Sequence, residues 1–253
     1  MQFSKWHALG NAYLLVERAD AALGPELVRL LCDPHRGIGS DGILVVDPDG
    51  ITAAVTVWNP DGSQAEFSGN GARIAASWLA AREGADAVTL RFGERTVEAL
   101  MHDGQVELEI GSVEVGDSEE LDLHIEMVTF TPVDVGNPHA VVRRDAFEAF
   151  DVERIGSLLE THVRFPGRTN VQLVEVLDEN RIRVGVWERG AGATHASGSS
   201  AVAAAAAAVA NGWCESPVEV DLPGGTLTVV LADGRATLCG PVEEICRGET
   251  ALA

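Results

Sequence analysis

The sequence predicts an α/β chain of the α+β kind, made of two similar halves, each a mainly antiparallel layer of strands around one central helix. Three observations predict it. The chain repeats itself once. Its strand-like runs close on Asp-Gly turns. Each half holds one unbroken helical stretch that begins with Ser-Gly and ends near Gly.

The repeat is the first element. The stretch VWNPDGSQAEFSGNGARIAA begins at Val57, and VWERGAGATHASGSSAVAAA begins at Val186, 129 residues later (186 − 57). Ser68-Gly69 and Ser197-Gly198 keep that spacing (197 − 68 = 129). Gly10-Asn11 pairs with Gly136-Asn137 at a spacing of 126, and Asp103-Gly104 with Asp233-Gly234 at 130. Four paired landmarks in one order mark a duplicated unit. The acidic, polar segment SVEVGDSEELDLHI, residues 112–125, marks the boundary, giving halves 1–115 and 116–253. The final strand is expected to return to the first half, since chain ends often meet.

The strands come next. Runs rich in β-branched residues span 42–46, 53–58, 88–92, 96–101 and 106–110 in the first half. In the second half they span 139–143, 171–176, 181–187, 218–222, 226–231 and 235–238. Asp103-Gly104 and Asp233-Gly234 lie between alternating runs, where a two-residue hairpin turn is expected. The helices follow Ser68 and Ser197. They run through GNGARIAASWLAAREG and GSSAVAAAAAAVANG, with Gly84 and Gly212 as stops.

Composition narrows the function. The chain has 253 residues, 46% hydrophobic and 23% charged, so it is globular. Its net charge of −21 argues against a nucleic-acid partner, which needs clustered Lys and Arg. The Ala-rich stretch 201–210 is too short to cross a membrane and reads as a buried helix. The N-terminus shows no signal-peptide pattern, so a cytoplasmic protein is expected. Cys32, Cys214, Cys239 and Cys246 show neither zinc nor redox spacing and read as unpaired, mostly buried thiols. No metal site is expected. Lys5 is the only lysine and lies outside the motifs, which argues against a Schiff-base cofactor. A homodimer is left open.

The chemistry centres on the two Ser-Gly helix starts. A helix N-terminus offers N–H groups and a partial positive charge, and Gly allows a ligand close to the backbone. SGNG and SGSS therefore read as anion cradles, able together to bind a carboxylate. Taken singly, Ser68 and Ser197 read as ordinary N-caps. Asn11, Asn59, Asn137, Asn170, Glu188 and Arg189 fall beside Gly or Pro at loops or strand ends. Amides and a guanidinium suit a ligand with ammonium and carboxylate groups. His139 is either a base or a satisfied buried histidine; His195 reads as an exposed loop histidine.

With these residues the chain resembles the diaminopimelate epimerase family of cofactor-independent amino-acid racemases and epimerases. The fragments are FSKWHALGNAYLLVE, CDPHRGIGSDGILVV, NPDGSQAEFSGNGAR, VGNPHAV, RTNVQLV and WERGAGATHASGSSA, and they cover nearly the whole chain. The resemblance implies two pseudo-symmetric lobes, each a barrel-like sheet around a central helix, with the substrate held by both helix starts. It implies Asn11, Asn59, Asn137, Asn170, Glu188 and Arg189 as substrate-binding residues, with Gly69, Asn70, Gly198 and Ser199 as backbone donors to the α-carboxylate. It adds Ser40 near the distal end of the substrate, and His139 and Glu188 as polar neighbours of the catalytic pair.

One departure stands out. The family motifs read CGNGAR and ACGTG, whereas this chain has SGNGAR and ASGSS. Ser68 and Ser197 replace the two cysteines that exchange the α-proton, and Ala193 stands where the family often has Glu. A serine hydroxyl is a far weaker acid than a thiol and needs an adjacent base. The expected function is inversion of an amino-acid α-carbon, LL- to meso-diaminopimelate, within lysine and cell-wall precursor synthesis. The alternatives are elimination on the same site, an amino-acid-binding homologue of weak or no activity, and an epimerase bearing two deliberate Cys→Ser replacements.

Overall fold

A computed structural model describes residues 1–20 and 23–252. Strands dominate, with four α-helices among the described residues. Contacts divide the chain into two compact units, Met1–Glu109 with Gly240–Ala253, and Ile110–Cys239.

In the first unit the elements are β1 (Gln2–Ala8), β2 (Asn11–Glu17), α1 (Pro25–Cys32), β3 (Ile43–Asp49), β4 (Thr52–Trp58), β5 (Gln64–Ala65), α2 (Gly69–Glu83), β6 (Ala87–Phe92), β7 (Arg95–His102) and β8 (Gln105–Ser112). Hydrogen bonding follows the order β1-β2-β3-β4-β6-β7-β8, with β5 on β4. The β2/β3 and β4/β6 pairs are parallel, and the others are antiparallel. A parallel pair needs a crossover, and α1 and α2 supply the two.

The second unit begins with β9 (Glu114–Val115) and β10 (Glu119–Asp122). It continues with β11 (Met127–Asp134), β12 (Pro138–Arg143), α3 (Ala149–Glu160), β13 (Asn170–Asp178), β14 (Arg181–Glu188), β15 (Gly192–Thr194), α4 (Gly198–Ala210), β16 (Val218–Leu222), β17 (Gly225–Ala232) and β18 (Arg235–Pro241). The order β11-β12-β13-β14-β16-β17-β18 repeats the first unit, with β15 on β14 and parallel pairs at β12/β13 and β14/β16. The chain duplication is thus a duplication of topology. The last strand, β19 (Glu243–Glu249), pairs antiparallel with β1 in the first unit.

Each central helix is enclosed by its own unit's strands. α2 packs on β1–β4, β6 and β7, and α4 on the corresponding β11–β14, β16 and β17. Ten of the residues of α4, from Gly198 to Ala208, are buried, which explains its run of alanines: small side chains let strands approach on every side. The outer helices cover the parallel pairs. Val28 and Leu31 of α1 pack on Leu14, Val16, Ile43 and Val45. In the second unit, Ile155 and Leu159 of α3 pack on Val142, Val171 and Leu173. Strands covered on both faces read as continuous apolar runs, as in Tyr13–Val16 and Ile43–Val46.

The Asp-Gly turns form as expected, with φ of 48° and 79° at Asp103-Gly104 and 51° and 71° at Asp233-Gly234. Gly84 caps α2 in the left-handed conformation. α4 differs slightly: Asn211 is its C-cap, and Gly212 takes the left-handed position one residue later. Several features lie outside the sequence-based expectation, the strands β1, β2 and β11 among them. α1 and α3 flank the sheets in addition to the central helices. The 112–125 segment, expected as a polar boundary, holds β9 and β10, and the division between units falls after Glu109. All four cysteines are free, but only Cys32 and Cys214 are buried, while Cys239 is half-buried and Cys246 exposed. No helix of the described residues is long and apolar enough to cross a membrane.

Candidate active site

Ser68 and Ser197 sit at the N-caps of the two central helices with nearly the same backbone, φ/ψ of −140°/120° and −144°/118°. The side chains differ. Ser68 Oγ accepts a hydrogen bond from the Gly71 N–H at 3.0 Å and lies 3.1 Å from the Tyr13 hydroxyl. Ser197 is buried and makes no side-chain cap bond to its helix. Ser68 is therefore a capping serine as well as a candidate catalytic group. Gly69 and Asn70, like Gly198 and Ser199, occupy the first two helical positions, whose N–H groups point out along the helix axis.

In the first unit a directed chain of donors fixes the amides beside Ser68. Arg73, fully buried in α2, donates from Nη2 to Asn70 Oδ1 at 2.8 Å. That turns Asn70 Nδ2 toward Asn11 Oδ1, 3.0 Å away. Asn11 Nδ2 then donates to Asp41 Oδ2 at 3.2 Å, and the Ala12 N–H donates to the same oxygen at 2.8 Å. A cation at one end and a carboxylate at the other set the orientation of both amides. Asn11 opens β2 directly after the Leu9-Gly10 turn, where Gly10 has φ +85°.

The second unit builds a different network from equivalent positions. His139, on β12, is 1% exposed. Gln172 Nε2 donates to its Nδ1 at 3.0 Å and to Ser200 Oγ at 2.9 Å. An amide nitrogen can only donate, so Nδ1 is the acceptor and the imidazole proton is on Nε2, donated to Asn137 Oδ1 at 3.0 Å. Burial pushes the pKa of His139 down to about 4, with Arg189 adding to the shift while Asp134 opposes it. The residue is a neutral, satisfied histidine that orients Asn137.

Glu188 ends β14 and Arg189 opens the turn that follows. Burial raises the carboxyl of Glu188 above its ordinary range, against the hydrogen bond donated by Thr194 Oγ1 at 2.8 Å. Asn170 Oδ1 accepts the Arg189 N–H at 3.0 Å, and its Nδ2 donates to Pro138 O at 3.1 Å. The Arg189 side chain is exposed and donates to Gly167 O at 3.3 Å. Glu160 of α3 braces this turn: Oε1 accepts the Gly190 N–H at 2.9 Å and Oε2 accepts Trp187 Nε1 at 2.7 Å.

Two expected residues are tied to their own loops. Asn59 Nδ2 donates to Ser63 Oγ at 3.0 Å. Ser40 Oγ donates to Gly42 O at 2.9 Å and to Cys32 Sγ at 3.3 Å. His195 is exposed, as expected. Sequence reasoning missed Tyr13, Asp41, Arg73, Glu160, Gln172 and Ser200. For Tyr13 a signal existed: it stands two residues after Asn11, as His139 stands two after Asn137.

The family model described as diaminopimelate epimerase matches residues 3–116 and 131–243, one stretch in each half. A protein named diaminopimelate epimerase 2 from Nostoc sp. is 37% identical, with 98% of this chain and 95% of that protein covered. The diaminopimelate epimerase of Azotobacter vinelandii is 35% identical, with 100% and 99% covered. Among solved structures, a hydroxyproline epimerase from Agrobacterium vitis shares the fold at a TM-score of 0.69 and 15% identity, covering 98% of this chain and 90% of its own. A phenazine biosynthesis protein of the PhzF family from Enterococcus faecalis does so at 0.74 and 10%, with 99% of each chain covered. The chain belongs to the diaminopimelate epimerase family.

Proposed function

We propose that this chain is a cofactor-independent epimerase that inverts the α-carbon of LL-diaminopimelate to give the meso form, acting in the cytosol on the free amino acid. The observation that supports it most directly is the pair of Ser-Gly helix starts with matching backbone in a chain of this family. An α-proton next to a carboxylate leaves only if the negative charge that develops is stabilised. N–H groups at helix N-termini are aimed at such a charge before it forms. On this proposal Gly69, Asn70, Gly198 and Ser199 receive the α-carboxylate. Asn11, Asn59, Asn137, Asn170, Glu188 and Arg189 position the amino-acid groups, with Ser40 toward the distal end. Ser68 and Ser197 are the residues proposed to exchange the α-proton. Glu188, whose carboxyl burial raises above its ordinary range, is proposed as a polar neighbour of the catalytic pair. His139, neutral across the working range, serves by holding Asn137.

The test is α-proton exchange. The protein is incubated with LL-diaminopimelate in D2O, and the α-proton signal is followed by NMR. Loss of the signal that Ser68→Ala and Ser197→Ala each reduce by on the order of 100-fold or more supports the proposal. Ligand-induced thermal stabilisation with no exchange replaces it with an amino-acid-binding function.

A further inference from the structure

We propose that Tyr13 is the positioning residue through which Ser68 works: its phenol oxygen holds the Ser68 hydroxyl and accepts its proton. This deepens the proposed function and rests on it.

A thiol at position 68 would reach its reactive anion unaided, because cysteine titrates near pH 8.5. A serine hydroxyl does not, and it needs a group that will take its proton. In this chain the group in contact is Tyr13. It lies on β2, 7% exposed, with its hydroxyl 3.1 Å from Ser68 Oγ. The strand beside it leaves room for its ring. A Cβ at Gly42 would sit 2.6 Å from Tyr13 Cε1 and 2.6 Å from Trp58 O, so only glycine admits the ring in that place. On the other side, Ser68 Oγ accepts the Gly71 N–H at 3.0 Å at the start of α2, where negative charge on oxygen is favoured. One oxygen thus has an amide donor on one side and a phenol on the other.

The second unit does not repeat this. The position equivalent to Tyr13 is His139, whose ring nitrogens are both engaged, by Gln172 and by Asn137. The position equivalent to Gly71 is Ser200, bonded to Gln172. The hydroxyl–phenol pair therefore belongs to the first half alone, and it makes the two serines chemically unequal.

The step balances as follows. Tyr13 enters as phenolate. As the substrate Cα–H bond breaks, its proton forms a new O–H bond at Ser68 Oγ, and the electron pair stays on the α-carbon and its carboxylate. The original Ser68 proton moves to the Tyr13 oxygen. Ser68 ends as a hydroxyl and Tyr13 as a neutral phenol, which returns its proton to solvent.

The experiment compares wild type, Tyr13→Phe, Ser68→Cys and the double variant for α-proton exchange of LL-diaminopimelate in D2O, from neutral to alkaline pH. The wild-type rate is expected to rise with pH, following the fraction of Tyr13 that is ionised. Tyr13→Phe should lower it by on the order of 100-fold and flatten the rise. In the Ser68→Cys background the same change should cost only a few-fold, because a thiolate needs no relay. Tyr13 is the only tyrosine in the chain, so its ionisation is also read directly from phenolate absorbance. Ser68→Ala should raise the pH at which that absorbance appears. A Tyr13→Phe variant as active as wild type overturns the inference. So does an equal loss in both backgrounds, which would mark Tyr13 as merely structural. A wild-type protein without exchange overturns the proposed function itself.

Discussion

His139 couples the second unit's stability to acid, and the size of the effect follows from its surroundings. The imidazole is 1% exposed, and its Nδ1 faces an amide donor, so a second ring proton would meet another N–H. Burial lowers its pKa from 6.5 to about 4. The folded value lies below the unfolded one. Below pH 6.5 the unfolded chain binds a proton that the folded chain refuses. The stabilisation is thus fully present above that pH and drains away as pH falls toward 4. A separation of this size, at 1.36 kcal/mol per pH unit, amounts to about 3 kcal/mol. The perturbation is His139→Gln, which keeps an amide for Asn137 and Gln172 but cannot titrate. Urea unfolding of both proteins is measured at a series of pH values. The stability difference, wild type minus variant, should fall by about 1.4 kcal/mol per unit between pH 6.5 and 4 and be flat above. Parallel curves would refute the reasoning, since they would mean that the folded chain accepts the proton as readily as the unfolded one.

Three further outcomes are expected. Gly71→Ala places a Cβ 2.9 Å from Leu44 Cδ2 and 3.2 Å from Ser68 Oγ; it should destabilise by about 1–3 kcal/mol on thermal unfolding and slow exchange by displacing Ser68. Glu160→Gln removes the carboxylate that takes the Gly190 N–H and Trp187 Nε1; it should cost about 1–3 kcal/mol and raise KM for diaminopimelate more than it lowers kcat, because the turn carrying Arg189 loosens. Asn70→Ala leaves Arg73 Nη2 and Asn11 Oδ1 without this partner; about 1–3 kcal/mol of lost stability and a weakened response to added diaminopimelate in thermal-shift measurements are expected.

Much of this protein was legible without coordinates because duplication writes the same local physics twice. Val57-Trp58 and Val186-Trp187, the Ser-Gly starts and the Asp-Gly turns depend on neighbours in sequence, and each forms at the expected place. Helix starts and hairpin turns are local choices of backbone angle, which residue type governs directly. α1 and α3 escaped notice because short helices that cover an apolar strand pair announce themselves only by what they pack against. β9 and β10 escaped because strands in a polar segment owe their existence to the partner strand β11 rather than to their own composition.

The sequence by itself determined the two halves, the family and the positions of the serines and asparagines. Tertiary structure decided what those residues touch. Ser68 and Ser197 have the same backbone, yet only Ser68 bonds its helix and a phenol. Tyr13 and His139 stand at equivalent positions, yet one faces a serine and the other a glutamine. The reason is that backbone conformation is set within a few residues, whereas the partner of a buried polar group is set by side chains from distant strands. Leu44 and Gly71 in one half, against Gln172 and Ser200 in the other, redirect the same scaffold toward different hydrogen bonds.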